Sequence, residues 1–179
     1  VELRAEVVAT APAAFTYGVY YNGARDGHGV FFTRAGSAAQ LVWYTYDEDG
    51  QPVWYLGFPD ALAADQMAIN TDLYRYTWVN GSAHGTRVGR ATLTRQDGRL
   101  VYSWEVDGRS GSEPMTLLAN SACVARSGGT PVDIGGLWYE PARSGYGANL
   151  LALPGVELAV FYLYAADGQP RWVLGQGST

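Results

Sequence analysis

The stretch LVWYTYDEDGQPVWYLG, residues 41–57, decides the fold. Val42, Tyr44 and Tyr46 alternate with Leu41, Trp43 and Thr45, which is the two-residue period of a pleated strand. Asp49-Gly50 supplies a tight turn. Pro52 then opens a second apolar run, where a missing backbone donor costs least. The stretch reads as a β-hairpin. It returns as AVFYLYAADGQPRWVLG at 159–175. Working outward, Gly18 to Gly57 aligns without a gap with Gly136 to Gly175, at a constant offset of 118 residues, and 16 of the 40 pairs are identical. Gly18/Gly136, Tyr21/Tyr139, Val42/Val160, Tyr44/Tyr162, Tyr46/Tyr164, Pro52/Pro170 and Trp54/Trp172 are among them. The position shared by Trp54 and Trp172 is expected to face a core in both copies.

This self-similarity divides the chain. Residues 1–16 form an N-terminal arm, 17–120 a first complete β-barrel-like repeat, 121–134 (SACVARSGGTPVDI) a linker, and 135–179 the first half of a second repeat. Strands are expected at 18–22, 28–35, 39–47, 52–58, 66–72, 73–79, 86–95 and 99–106, with a ninth at 112–118. Many short, evenly spaced strands suggest a meander that closes as a barrel or stacks as a sandwich. About 100 residues and eight strands suit the barrel, so the expectation is an all-β, antiparallel, up-and-down barrel-like unit plus a partial second copy. Half of such a unit leaves an open edge and a bare apolar face. Three resolutions exist: more chain beyond Thr179, packing on the first unit, or completion by a second chain. The first is the expectation.

Composition narrows the function classes. Hydrophobic residues make up 47% and charged residues 16%, enough for a packed core and too apolar for a disordered chain. The net charge of -5 excludes a generally basic nucleic-acid binder. No run of 18 apolar residues occurs, so no helical membrane span is expected. All 12 basic residues are Arg, so no lysine nucleophile is available. The single cysteine, Cys123, cannot form an internal disulfide.

No catalytic constellation assembles from the sequence. His28 is replaced by Tyr146 in the second copy, and His84 falls in what reads as a loop, residues 80–85. No nucleophile elbow is present, so the catalytic set is none and the chain is not expected to be an enzyme. Asp47, Glu48 and Asp49 fail the EF-hand pattern and read as a solvated hairpin tip. No metal and no cofactor are expected. The loop Arg25-Asp26-Gly27-His28-Gly29 matches Arg143-Ser144-Gly145-Tyr146-Gly147. It reads as a structural loop in which Gly27, Gly29, Gly145 and Gly147 permit positive φ or close approach, with Arg25 and Arg143 capping a barrel end or pairing with a carboxylate.

The aromatic residues, 13% of the chain, are the most informative. Trp43, Tyr44, Tyr46, Trp54, Tyr74, Tyr76, Trp78 and Trp104 are the candidate ligand-binding residues, although core packing is expected to take most of them. Both faces of the 41–57 hairpin carry rings in places, since Trp43 and Tyr44 point to opposite faces, as do Trp54 and Tyr55. Both faces cannot line one core. Some rings must be exposed or lie in an interface.

The strings LVWYTYDEDGQPVWYLG (41–57), GLWYEPARSGYGANL (136–150), TRVGRATLT (86–94) and SWEVDGRSGSEPMT (103–116) resemble an aromatic-rich β repeat domain of secreted and cell-surface proteobacterial proteins. The resemblance covers nearly all of 17–118 and all of 136–175. In the first copy Tyr20 stands where the second has Trp138, and Asp26 where the second has Ser144. Gly136-Leu137-Trp138-Tyr139 also looks like the opening strand of calycin and streptavidin-like barrels. The resemblance implies secretion or a periplasmic or cell-surface location in a Gram-negative bacterium, and it carries no catalytic residues. The expected function is non-catalytic extracellular binding or assembly, through aromatic surfaces and sheet edges, with a glycan, a cell surface, a partner protein or another copy of the chain. The alternatives are a calycin-like carrier of a small apolar ligand and, behind it, an enzyme or enzyme inhibitor.

Overall fold

Period-two patterning and Gly-containing turns produce strands throughout the described residues of the computed structural model, which are 15, 17–35, 38–60, 66–96, 99–119, 135–143, 145–153 and 156–178. The expected arm before residue 15, the 121–134 linker with Cys123, and the Asp97-Gly98 turn lie outside them. Eight strands form the first unit: β1 (Gly18–Tyr21), β2 (Gly29–Ala35), β3 (Ala38–Tyr46), β4 (Pro52–Gly57), β5 (Ala68–Val79), β6 (Ser82–Gln96), β7 (Arg99–Val106) and β8 (Arg109–Ala119). Each pairs antiparallel with the next, and β8 pairs with β1 to close a barrel. Four more strands, β9 (Gly136–Tyr139), β10 (Gly147–Leu153), β11 (Val156–Tyr164) and β12 (Pro170–Gly177), form a separate antiparallel sheet in the order β12-β11-β10-β9.

Two strand assignments differ from expectation. The segments 66–72 and 73–79 are one twelve-residue strand, β5, not two. Asp72 is exposed and its carboxylate accepts from Arg87 at 2.7 Å, so the ladder continues through it. The irregularity is a register shift between Leu73 and Tyr74. The presumed loop around His84 is also strand: Asn80 (φ 51°) and Gly81 (φ 82°) make a two-residue turn with both central residues left-handed, and β6 begins at Ser82. Asp107 (φ 50°) and Gly108 (φ 78°) repeat the device between β7 and β8. The ninth strand of the sequence reading is β8, the one that closes the barrel.

The barrel interior is filled. Tyr20, Val30, Trp43 and Tyr55 form a row across β1–β4, each paired with the next. All four are buried. Trp43 meets Tyr102 (5.4 Å between ring centroids) and Trp104 (5.0 Å) arriving from β7 on the far side. Phe32, Leu41, Ile69, Leu73 and Leu93 complete the core. Among the described residues no helix is long and apolar enough to cross a membrane.

Gly89 marks the tightest strand contact. A Cβ there would overlap the Glu105 carbonyl oxygen, which is backbone and cannot rotate away. Gly89→Ala should therefore cost about 1–3 kcal/mol, as overpacking usually does. Gly177→Ala, facing open space, should stay within about 0.5 kcal/mol. Urea midpoints of the two variants check this; equal midpoints would contradict it.

Candidate functional site

The rings on the outward faces of β3 and β4 bury themselves against the β9–β12 sheet. Phe31, Val42, Tyr44, Trp54 and Leu56 from the barrel wall form one buried cluster with Leu151, Tyr162 and Tyr164. The contacts are reciprocal at positions 118 residues apart. Trp54 Nε1 donates to the Leu163 carbonyl at 3.5 Å, and Trp172 Nε1 donates to the Thr45 carbonyl at 2.9 Å. Trp54 packs on Tyr162 at 5.3 Å and on Tyr164 at 6.0 Å. Trp172 packs on Tyr44 at 6.1 Å and on Tyr46 at 5.5 Å. Residue i touches j while the counterpart of i touches the counterpart of j, the signature of an isologous contact. Asn149, fully buried, donates to the Tyr44 hydroxyl at 2.8 Å. Strand β5 adds Tyr76, stacked on Trp54 at 5.8 Å, and Trp78, on Tyr146 at 5.2 Å and Tyr164 at 5.6 Å.

The 22–29 loop forms one end of this seam. Asn22 and Arg25 both donate to the buried Glu113 carboxylate, at 2.9 and 3.4 Å, which ties the loop to β8. Arg25 thus pairs with a carboxylate, whereas among the described residues Arg143 has no such partner. Gly27 (φ 74°) and Gly145 (φ 93°) are both left-handed; a Cβ at Gly27 would strike the Tyr46 ring, and one at Gly145 would strike the Ala83 methyl and crowd Tyr164. His28 shares a 2.7 Å hydrogen bond with Thr45 and stands edge-on to Tyr46. Burial, reinforced by the Arg25 charge, holds its imidazole below the usual histidine range. Beside this loop lies an apolar cleft of about 260 Å³, walled by Val19, Phe31, Leu158, Val160, Trp172 and Leu174, with Arg25, Asp26 and His28 at its mouth.

A second, more open groove of about 750 Å³ runs along Trp78, Trp138, Tyr139, Tyr146 and Phe161, with Glu140 and Arg143 on its rim. Trp138, Ala148, Phe161 and Val173 form a row across β9–β12, each paired with the next. They sit at the counterpart positions of Tyr20, Val30, Trp43 and Tyr55. In the barrel that row is buried; here Trp138, Phe161 and Val173 are 54%, 46% and 52% exposed.

The chain matches no protein-family model, no curated protein and no solved structure. The placement of its side chains carries the functional reading.

The eight sequence-selected aromatics divide three ways. Trp43 and Trp104 line the barrel interior. Tyr44, Trp54, Tyr76 and Trp78 lie in the seam, and Tyr46 stands at its rim. Tyr74 is half-buried where β5 meets β4, opposite Leu56. The interface that two ringed faces demand is therefore present, and it lies inside the molecule. Gly29 and Gly147 give the loops close approach: a Cβ at Gly29 would crowd the Tyr20 carbonyl, and one at Gly147 the Tyr162 ring and the Trp138 carbonyl. Asp47 serves its own turn, its carboxylate accepting from the Asp49 and Gln51 backbone at 3.1 and 2.8 Å. Among the described residues no three His, Cys, Asp or Glu gather to hold a metal ion. Sequence reading passed over Glu113, Asn149 and the Trp138–Phe161–Val173 face. The last was recoverable, since the 118-residue offset places these three opposite Tyr20, Trp43 and Tyr55.

The seam is dense in phenols that burial keeps neutral. Tyr162 is pushed up to about 12 by burial, and Tyr44, Tyr76 and Tyr164 are also raised, burial being the main cause for each. Unfolded tyrosines ionise near 10. Above that pH the unfolded chain binds fewer protons than the folded one, so stability falls as pH rises from about 10 toward the folded values. Absorbance titration at 295 nm should show exposed tyrosines ionising first and the seam phenols only together with loss of near-UV circular dichroism. A single native-state titration of every tyrosine near 10 would contradict the packing.

Proposed function

We propose that the chain is a non-catalytic binding and assembly module, built on a repeated β unit, that acts at the cell exterior and joins other β-sheet protein through an exposed aromatic face. One observation carries the reading. The row Trp138–Ala148–Phe161–Val173 occupies the positions that form a buried core layer in the barrel, yet three of its members are about half exposed. A face of that composition gains by being covered, by roughly 25 cal/mol per Å² of apolar area. Among the described residues β12 is an edge strand of its sheet and offers backbone for the same purpose. The external location rests on the resemblance of the hairpin and loop motifs to secreted repeat domains.

The carrier reading is less well supported. Trp43, Tyr55 and Tyr102, each under 6% exposed, meet where a ligand inside the barrel would have to sit. A catalytic reading finds little to use: the buried Glu113 is bound to Asn22 and Arg25. The groove beside Trp138 and Tyr139, with Arg143 and Glu140 on its rim, favours a glycan as the second reading, since flat rings with polar neighbours suit sugar faces.

Light scattering tests the first reading. The wild-type chain should form species heavier than 19.3 kDa in a concentration-dependent way, and Phe161→Glu on the exposed row should return it to monomer. A strict monomer at all concentrations, or assembly unchanged by Phe161→Glu, would contradict it. Binding of polysaccharide lost on Trp138→Ala, with no assembly, would favour the glycan reading.

A further inference from the structure

The seam is reciprocal in its contacts but not in its burial, and the differences fall together. Trp54 is 2% exposed, while its counterpart Trp172 is only half-buried. Leu56 is 8% exposed and Leu174 53%. Tyr164 is 8% exposed and Tyr46 37%. In each pair the better-covered residue is covered by β5: Tyr76 stacks on Trp54, Tyr74 pairs with Leu56, and Trp78 lies on Tyr164. The turn glycines follow the same rule. The Gly168 carbonyl accepts from the Trp78 backbone N–H at 2.8 Å, and a Cβ at Gly168 would strike the Trp78 carbonyl. A Cβ at its counterpart Gly50, with nearly the same φ (71° against 78°), would meet nothing within 4 Å. Two of these less-covered residues, Trp172 and Leu174, line the apolar cleft together with His28.

We infer that this cleft and the free edge of β12 are a docking site for an extended β-strand carrying two aromatic side chains at positions i and i+2, seated as Tyr76 and Trp78 of β5 are seated on the other side of the seam. The inference deepens the assembly reading and rests on it. The incoming strand lies beside β12 with one ring on Trp172 and the next against His28 and Tyr46. Its backbone N–H donates to the Gly50 carbonyl, and it covers Leu174. Occupancy is by β-augmentation, with main-chain bonds giving affinity and the two ring pockets giving specificity. The occupant is a partner strand, not a second copy's β5, because that strand is already committed within its own barrel between β4 and β6.

The experiment uses the full chain and a synthetic peptide copying Asp72–Asn80 (DLYRYTWVN), titrated by calorimetry. Saturable one-to-one binding is expected, weakened at least about tenfold, or about 1.4 kcal/mol, when the peptide carries Tyr76→Ala and Trp78→Ala. Leu174→Arg in the protein, at an exposed position, should weaken it by a similar factor. Trp172→Ala should do the same, and Leu174→Arg stands in should that variant fail to fold. No binding, equal binding of the Ala-bearing peptide, or binding indifferent to Leu174→Arg would overturn the inference. So would a homodimer abolished by Leu174→Arg with no peptide bound, which would give the cleft to a second copy. Peptide binding that fails while Phe161→Glu still abolishes assembly overturns the strand site alone. Peptide binding that persists in a strictly monomeric chain upholds the cleft and removes the proposed self-assembly.

Discussion

The indoles of Trp54 and Trp172 constrain the molecule more than any other pair. Each sends its N–H across the seam to a backbone carbonyl of the opposite hairpin, and each lays its ring on tyrosines of that hairpin. A β-sheet whose two faces are both apolar cannot stand in water. The β1–β4 wall of the barrel is such a sheet: Trp43 and Tyr55 need the barrel interior, and Tyr44 and Trp54 need something outside it. The β9–β12 sheet satisfies that need. In return it buries Leu151, Tyr162 and Tyr164, and its counterpart of the barrel-interior face is left toward solvent. Truncating Trp54 leaves a large hole at the centre of the cluster, and such holes cost about 3–5 kcal/mol; truncating the half-buried Trp172 costs less.

Much of this was legible. The hairpin of residues 41–57 carries its own instructions: alternating rings, an Asp-Gly tip and a proline where the next strand begins. The 118-residue offset gave the second hairpin and its strand order. Rings on both faces of one hairpin also forced an interface. What the sequence could not say was which face went where. Parity separates Trp43 from Tyr44, but nothing local tells which of them lies inside a closed barrel. That choice is made by closure of β8 on β1, a pairing between segments about 100 residues apart in the chain.

Other features were hidden for local reasons. The boundary expected at 72/73 is absent because Asp72 is solvent-facing and ion-paired to Arg87, so an acidic residue, depleted in strands generally, leaves the ladder intact. Asn80-Gly81 merges in sequence with the polar residues after it into what looks like a loop, although two left-handed residues are enough to reverse the chain. Glu113 gave no signal at all. It sits in an ordinary strand, and only the fold brings Asn22 and Arg25, some 90 residues earlier, onto its carboxylate.

Differential scanning calorimetry tests most directly whether the seam holds the two units as one body. A shared core predicts one cooperative transition with equal calorimetric and van't Hoff enthalpies, shifted as a whole to lower temperature by Trp54→Ala. Two separable transitions, with only one of them moved by that substitution, would contradict the account.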